Sequence, residues 1–229
     1  TGQMPQILDG AAQTAALTDL VNFAIPGDNN TLAKRLAWLA DAYSTADTLQ
    51  NNAAQNAAKT LGLLQSINYP AYKPATGVVY NPPAVSTLAN NTTVNTDMAW
   101  NVRDFGESMK ATAALLKADV GIETIHVDFG GWDFHRDAGV FEGRNTDGTA
   151  NFGWRFWFPY SLAANLSAFF KDLDSVVFGD KTTLMNRVTV VIMTEFGRTV
   201  NENGNFGTDH GQGGVMMFLG WNVNGGRVD

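Results

Sequence analysis

A chain of 229 residues with 45% hydrophobic and 16% charged side chains can bury one substantial core, and its net charge of −7 leaves no basic stripe for nucleic acid. The same acidic balance argues against an anionic membrane surface, and no apolar run approaches the length of a membrane span. The absence of cysteine excludes a disulfide framework and a thiolate metal site. It is compatible with an exported protein, periplasmic or extracellular, and the chain opens at Thr1 rather than Met, which reads as a processed or partial chain.

Residues 1–66 read as helical. Leu32, Leu36, Leu39, Ala40 and Tyr43 form an apolar stripe at three- and four-residue steps behind the capping run Asp28-Asn29-Asn30-Thr31. A second stripe runs through Ala46, Leu49, Ala53, Ala57, Leu61 and Leu64, and its small residues suit close helix packing. Residues 68–96 hold Tyr69-Pro70, Lys73-Pro74 and Asn81-Pro82-Pro83, which forbid a long helix and predict a loop. The chain therefore divides into a helical region with a Pro/Asn-rich loop over 1–96 and a core over 97–229.

In the second part a helix is expected over 97–120, with Phe105, Met109, Thr112, Ala113 and Leu116 inward and Gly121 as its stop. Ile122 to Phe129 alternates with β-branched residues and predicts a strand that runs into Gly130-Gly131-Trp132-Asp133-Phe134-His135. Residues 136–158 read as a long aromatic loop, as a plug over a core or, less simply, a ligand platform. Leu162, Leu166, Phe169, Phe170, Leu173 and Val177 mark a helix, and Val188 to Met193 a buried strand. Strand, helix and strand in that order predict a right-handed parallel crossover, with Val215 to Leu219 as a further buried strand. The expected fold class is α/β, a mostly parallel sheet flanked by helices behind a helical N-terminal part, within an incomplete domain.

The chemistry gathers at strand ends. Asp133 and His135 follow one predicted strand; Glu195 and Arg198 follow another; a Gly/Asn loop then delivers Asp209 and His210. Two imidazoles and several carboxylates offer mixed nitrogen and oxygen donors, which suit Zn²⁺ or Mn²⁺ better than Ca²⁺. Arg198 beyond a strand end is a natural fork for an oxyanion. Each residue has a plainer alternative: Asp133 and Asp209 as turn caps, His135 as a satisfied imidazole, Arg198 paired with Glu195 or a loop carbonyl. His126 reads as structural, and Asp128 as structural or at the site edge.

Trp132-Asp133-Phe134-His135 resembles a GWDTH motif, Thr194-Glu195-Phe196-Gly197-Arg198-Thr199 matches TEFGRT, and Thr208-Asp209-His210 resembles GRDH. With these motifs the chain resembles the bacterial sulfatase-like family called domain of unknown function 1501, within the alkaline phosphatase superfamily. The resemblance implies an alkaline phosphatase-like α/β sandwich, a two-metal site and a Ser, Thr or formylglycine nucleophile. By it Asp133, His135 and His210 match one metal site, and Glu195 stands where the second has an Asp. The next superfamily position is His, and here it is Phe196. No stretch before residue 97 reads as the strand that carries the nucleophile, so that segment lies upstream of Thr1 or the chain is a degenerate relative. Two functions follow as expectations. One is a metal-dependent hydrolase of small anionic phosphate or sulfate esters. The other is a non-catalytic secreted or surface protein that binds a glycan or assembles into a larger particle.

Overall fold

A computed structural model describes residues 31–42, 44, 51–52, 55, 58–60, 62–64, 67–81, 96–138 and 153–226. Residues 1–30 of the stretch expected to be helical, most of its second stripe, the prolines at 82–83 and residues 139–152 of the aromatic loop lie outside these residues. The chain forms two compact units, Thr1–Lys73 with Ala114–His126, and Pro74–Ala113 with Val127–Asp229.

The first unit contains helix α1, Leu32–Ala42. Its last turn is closed at Ser44, whose backbone N–H and hydroxyl both donate to the Asp41 carbonyl, so one orphan acceptor of the helix end is satisfied twice. Helical backbone recurs at 51–52, 58–60 and 62–64, and Leu64 is buried. Among the described residues no helix is long and apolar enough to cross a membrane.

The second unit carries the site. Helix α2, Thr96–Lys117, occupies most of the helix expected over 97–120 and belongs to this unit up to Ala113, and α3 runs Trp154–Asp174. The buried residues of α3 are Trp154, Phe158, Ser161, Asn165, Ala168, Phe169, Asp172 and Leu173. Their spacing is that of one helical face. Three are polar, and each is bonded. Asn165 accepts from the Asn81 backbone N–H, Asp172 accepts from the Ala75 N–H and the Tyr80 hydroxyl, and Ser161 donates to the Val102 carbonyl. A bonded polar group is one the interior tolerates, and these three tie the 75–81 segment and α2 onto α3.

The aromatic residues expected in a loop up to 158 belong in part to this helix. Trp154 and Phe158 are buried, and Phe158 is the hub of the cluster Val102, Phe134, Ala138, Trp154 and Phe158. Its ring stacks on Phe129 at 5.1 Å and meets Trp132, Phe134 and Trp154 edge-on at 5.2, 5.2 and 5.7 Å. Both geometries suit aromatic quadrupoles. Phe158 thus anchors the stretch that bears Asp133 and His135.

The expected mostly parallel sheet is not what forms. The described strands make two small antiparallel pairs. Strand β1, Val190–Met193, pairs with β4, Met216–Leu219, with Val190 opposite Leu219 and Met193 opposite Met216. Inside it β2, Gly197–Arg198, pairs with β3, His210–Gly211. The chain leaves β1, makes the inner pair and returns along β4, so the 199–209 loop reverses direction and no crossover helix is used. Ile122 to Phe129 keeps the alternation that predicted a strand, with Ile125, Val127 and Phe129 half-buried and Thr124, His126 and Asp128 exposed. It is assigned no strand, because alternation reports which side chains face inward and says nothing about a ladder partner. The β1 and β4 ribbon is also less buried than its apolar sequence implies. Val191, Met193, Met216, Met217 and Phe218 are all exposed.

Candidate metal centre

The site is assembled from three stretches that backbone bonds hold together. The 199–210 loop lies directly on residues 134–138. Thr208 N–H donates to the Phe134 carbonyl at 2.9 Å, and the N–H groups of Asp137 and Ala138 donate to the carbonyls of Asn205 and Phe206. Gly207 makes this contact possible, since a Cβ there would overlap the backbone of Phe134, His135 and Arg136. Arg155, in the first turn of α3, pairs with Glu202 at 2.7 Å and secures the outer end of the loop.

Local conformation then sorts the side chains. Successive bonds from Phe134 N–H to Trp132 O and from His135 N–H to Asp133 O fold this stretch into tight turns. Phe134 enters the aromatic core while Asp133 and His135 stay exposed. Across the inner ribbon Arg198 stands opposite His210, which brings the second imidazole to the same place.

Asp133, His135 and His210 place one ligand atom each within 4.8 Å of one another. His135 Nε2 and His210 Nε2 each lie 3.1 Å from Asp133 Oδ1. Donors bound at ~2.1 Å in tetrahedral array stand about 3.4 Å apart, and the two imidazole–carboxylate distances of 3.1 Å are close to that spacing. Behind it, His135 Nδ1 meets Asp209 Oδ1 at 2.9 Å, and Asn203 Nδ2 donates to the same oxygen at 2.9 Å. A carboxylate on the far nitrogen fixes ring orientation and tautomer. Phe196 stacks on the His210 ring at 4.3 Å and supports the second imidazole from its face.

Arg198 is heavily engaged. Its Nε donates to Thr208 Oγ1 at 3.0 Å, its Nη2 to the Thr208 carbonyl and its Nη1 to Asp133 Oδ1. The fork is therefore spent on a loop carbonyl, a hydroxyl and a carboxylate within the protein.

The electrostatics follow from these contacts. Desolvation raises the Asp133 carboxyl, but hydrogen bonds from Arg198 and His210, with His135 nearby, outweigh it and the net shift is downward. The hydrogen bonds from His135 and then Asn203 hold the Asp209 carboxyl below its ordinary value.

Of the residues singled out in the sequence, Asp133, His135 and His210 share the three-donor group, Asp209 sits behind His135, and Arg198 bonds to Asp133. Glu195 is exposed and outside the group. The bend after β1 brings Phe196 to the His210 ring in its place. Asp128 is likewise exposed and outside the group. Sequence reasoning passed over Asn203 and Gly207 and gave Thr208 no role beyond its place in a motif. Only the density of Asn and Gly in the loop hinted that its backbone must make close contacts. Beside the centre, Arg198, Asn201, Glu202, Asn203, Asp209 and Gln212 border an open depression of about 500 Å³.

The model of the family described as "Protein of unknown function (DUF1501)" matches residues 2–228. The chain belongs to this family. No curated protein and no solved structure matches it. Within this DUF1501 chain the three motif stretches are also the three stretches of the centre: 132–135 supplies Asp133 and His135, 194–199 supplies Phe196 and Arg198, and 208–210 supplies Asp209 and His210.

Proposed function

We propose that this DUF1501 protein binds a divalent cation through Asp133, His135 and His210 and hydrolyses small phosphate or sulfate esters. The observation that carries the reading is the donor set itself. One carboxylate and two imidazoles converge on one point, with a carboxylate behind one ring and all three residues open to solvent. Three protein donors with an open position are the pattern of a catalytic site, whereas structural sites are closed by four. The nitrogen and oxygen mix favours Zn²⁺ or Mn²⁺ over Ca²⁺. A bound ion would polarise an ester oxygen and acidify a water. The protein's own part is to hold Asp133 and His135 on the aromatic hub, to orient His135 through Asp209, and to present the donors beside the depression. The motif resemblance to the alkaline phosphatase superfamily supports the ester class, and the cysteine-free composition is compatible with an exported setting.

A second reading, a non-catalytic relative that retains the metal, draws on the hydroxyls around the centre. Thr208 Oγ1 accepts from Arg198, Thr199 Oγ1 donates to the Asn201 carbonyl, and Thr194 Oγ1 accepts from the Val215 N–H. None of these hydroxyl bonds is to a histidine or carboxylate that could serve as its general base. The test that separates the readings is metal analysis of purified protein combined with assays on aryl phosphate and aryl sulfate, before and after chelation. Activity that is lost on chelation and restored by Zn²⁺ or Mn²⁺ supports the hydrolase. Stoichiometric metal without turnover supports the second reading, and protein that takes up no metal refutes both.

A further inference from the structure

Asp133 Oδ1 is contacted by three nitrogens at once: His135 Nε2, His210 Nε2 and Arg198 Nη1. The carboxylate is an acceptor only. His135 commits its Nδ1 side to the Asp209 carboxylate, and its Nε2 lies 3.1 Å from Asp133 Oδ1. Arg198 sets a permanently charged group on that same oxygen. Its other two donor positions are pinned to Thr208, so Nη1 is held against Asp133 by the loop that also carries His210.

We propose that the Arg198 guanidinium and a divalent cation are alternative partners of Asp133 Oδ1, with Arg198 acting as a resident cation that the metal must displace. The proposal rests on the metal-binding reading above and adds a regulatory element to it. The cluster holds two carboxylates and one guanidinium: Asp133 is paired with Arg198, and Asp209 with His135. Arg198 therefore cancels half of the negative charge that would attract a cation, and it occupies one of the three ligand atoms. When the metal takes Asp133, Arg198 keeps its Thr208 bonds and stays at the rim, with Nη1 released as a single cationic donor beside the depression. Metal loading and exposure of a cationic donor are then one event, and metal affinity is set below what the three donors alone would give.

The experiment measures Zn²⁺ affinity of the full chain by competition with a chromophoric chelator, for the wild type, Arg198→Gln, Arg198→Lys and His210→Ala. Displacement predicts that Arg198→Gln binds Zn²⁺ about tenfold more tightly than wild type, the scale of removing one competing charge from a partly solvated site. Arg198→Lys stays close to wild type, and His210→Ala loses binding. Equal or weaker binding by Arg198→Gln, with His210→Ala still defective, overturns the proposal while leaving the metal site intact. No Zn²⁺ binding by any protein overturns the site itself. A second measurement needs no variant. Nitrogen NMR of the wild-type Arg198 guanidinium follows Nη1 during a Zn²⁺ titration; a shift that saturates with the metal supports exchange, and a guanidinium signal unmoved at saturation refutes it.

Discussion

Replacing Asp209 by alanine separates a ligand from a residue that orients one. Asp209 Oδ1 accepts from His135 Nδ1 at 2.9 Å and from Asn203 Nδ2 at 2.9 Å. The His135 and Asp209 side chains are 47% and 58% exposed, so their interaction is largely solvated. Its loss costs little stability, as is usual for solvent-exposed pairs. The effect on metal affinity is larger, because His135 loses the partner that sets its tautomer and ring angle. Removing such a partner costs about 10–100-fold. Urea unfolding of the metal-free protein and chelator competition for Zn²⁺ measure the two effects on the same preparations. The expected outcome is a nearly unchanged unfolding midpoint with a clear drop in affinity, and Asp209→Asn in between because its amide oxygen still accepts. Affinity within twofold of wild type would refute the orienting role, and complete loss of binding would make Asp209 a direct ligand.

Other outcomes follow from the same contacts. Phe158→Ala removes the fully buried hub of the aromatic cluster and is expected to cost about 3–5 kcal/mol in urea unfolding, with weaker Zn²⁺ binding because Trp132 and Phe134 flank Asp133. Gly207→Val pushes the 199–210 loop off the backbone of His135; overpacking of this kind costs about 1–3 kcal/mol, read as a lower unfolding midpoint together with lost metal binding. In metal-free protein Asp209 has a folded pKa below its ordinary 3.8, so its stabilising contribution is present above 3.8 and is lost as pH falls through the lower folded value. Thermal melts of wild type and Asp209→Ala should therefore converge in acid and separate above it, and parallel curves would exclude the carboxylate as the cause. Burial pushes the Tyr69 phenol up to about 12, so ultraviolet titration should show it ionising after exposed tyrosines, and a normal midpoint would contradict its burial.

Part of the fold, and the residues of the candidate three-donor group, could be read from the sequence alone. The helix around 97–120 and the helix through Leu162 and Phe169 declared themselves by periodicity, because helical bonds are local and one face repeats within a few residues. The motifs named Asp133, His135, Asp209 and His210, because few side chains can do this chemistry and they cluster beside Gly-rich turns. The sheet was not legible. Val188 to Met193, Ile122 to Phe129 and Val215 to Leu219 all carry strand-like patterns, yet pattern is a property of one segment and pairing is a property of two. Tertiary structure paired β1 with β4 in antiparallel register and left 122–129 without a strand. It also distributed the roles. Asp209 lies behind His135, Arg198 is bound to Asp133 and Thr208, and Phe196 rather than Glu195 meets His210. Residue type determined what each group can bind, and the distances between segments far apart in the chain decided what each one meets.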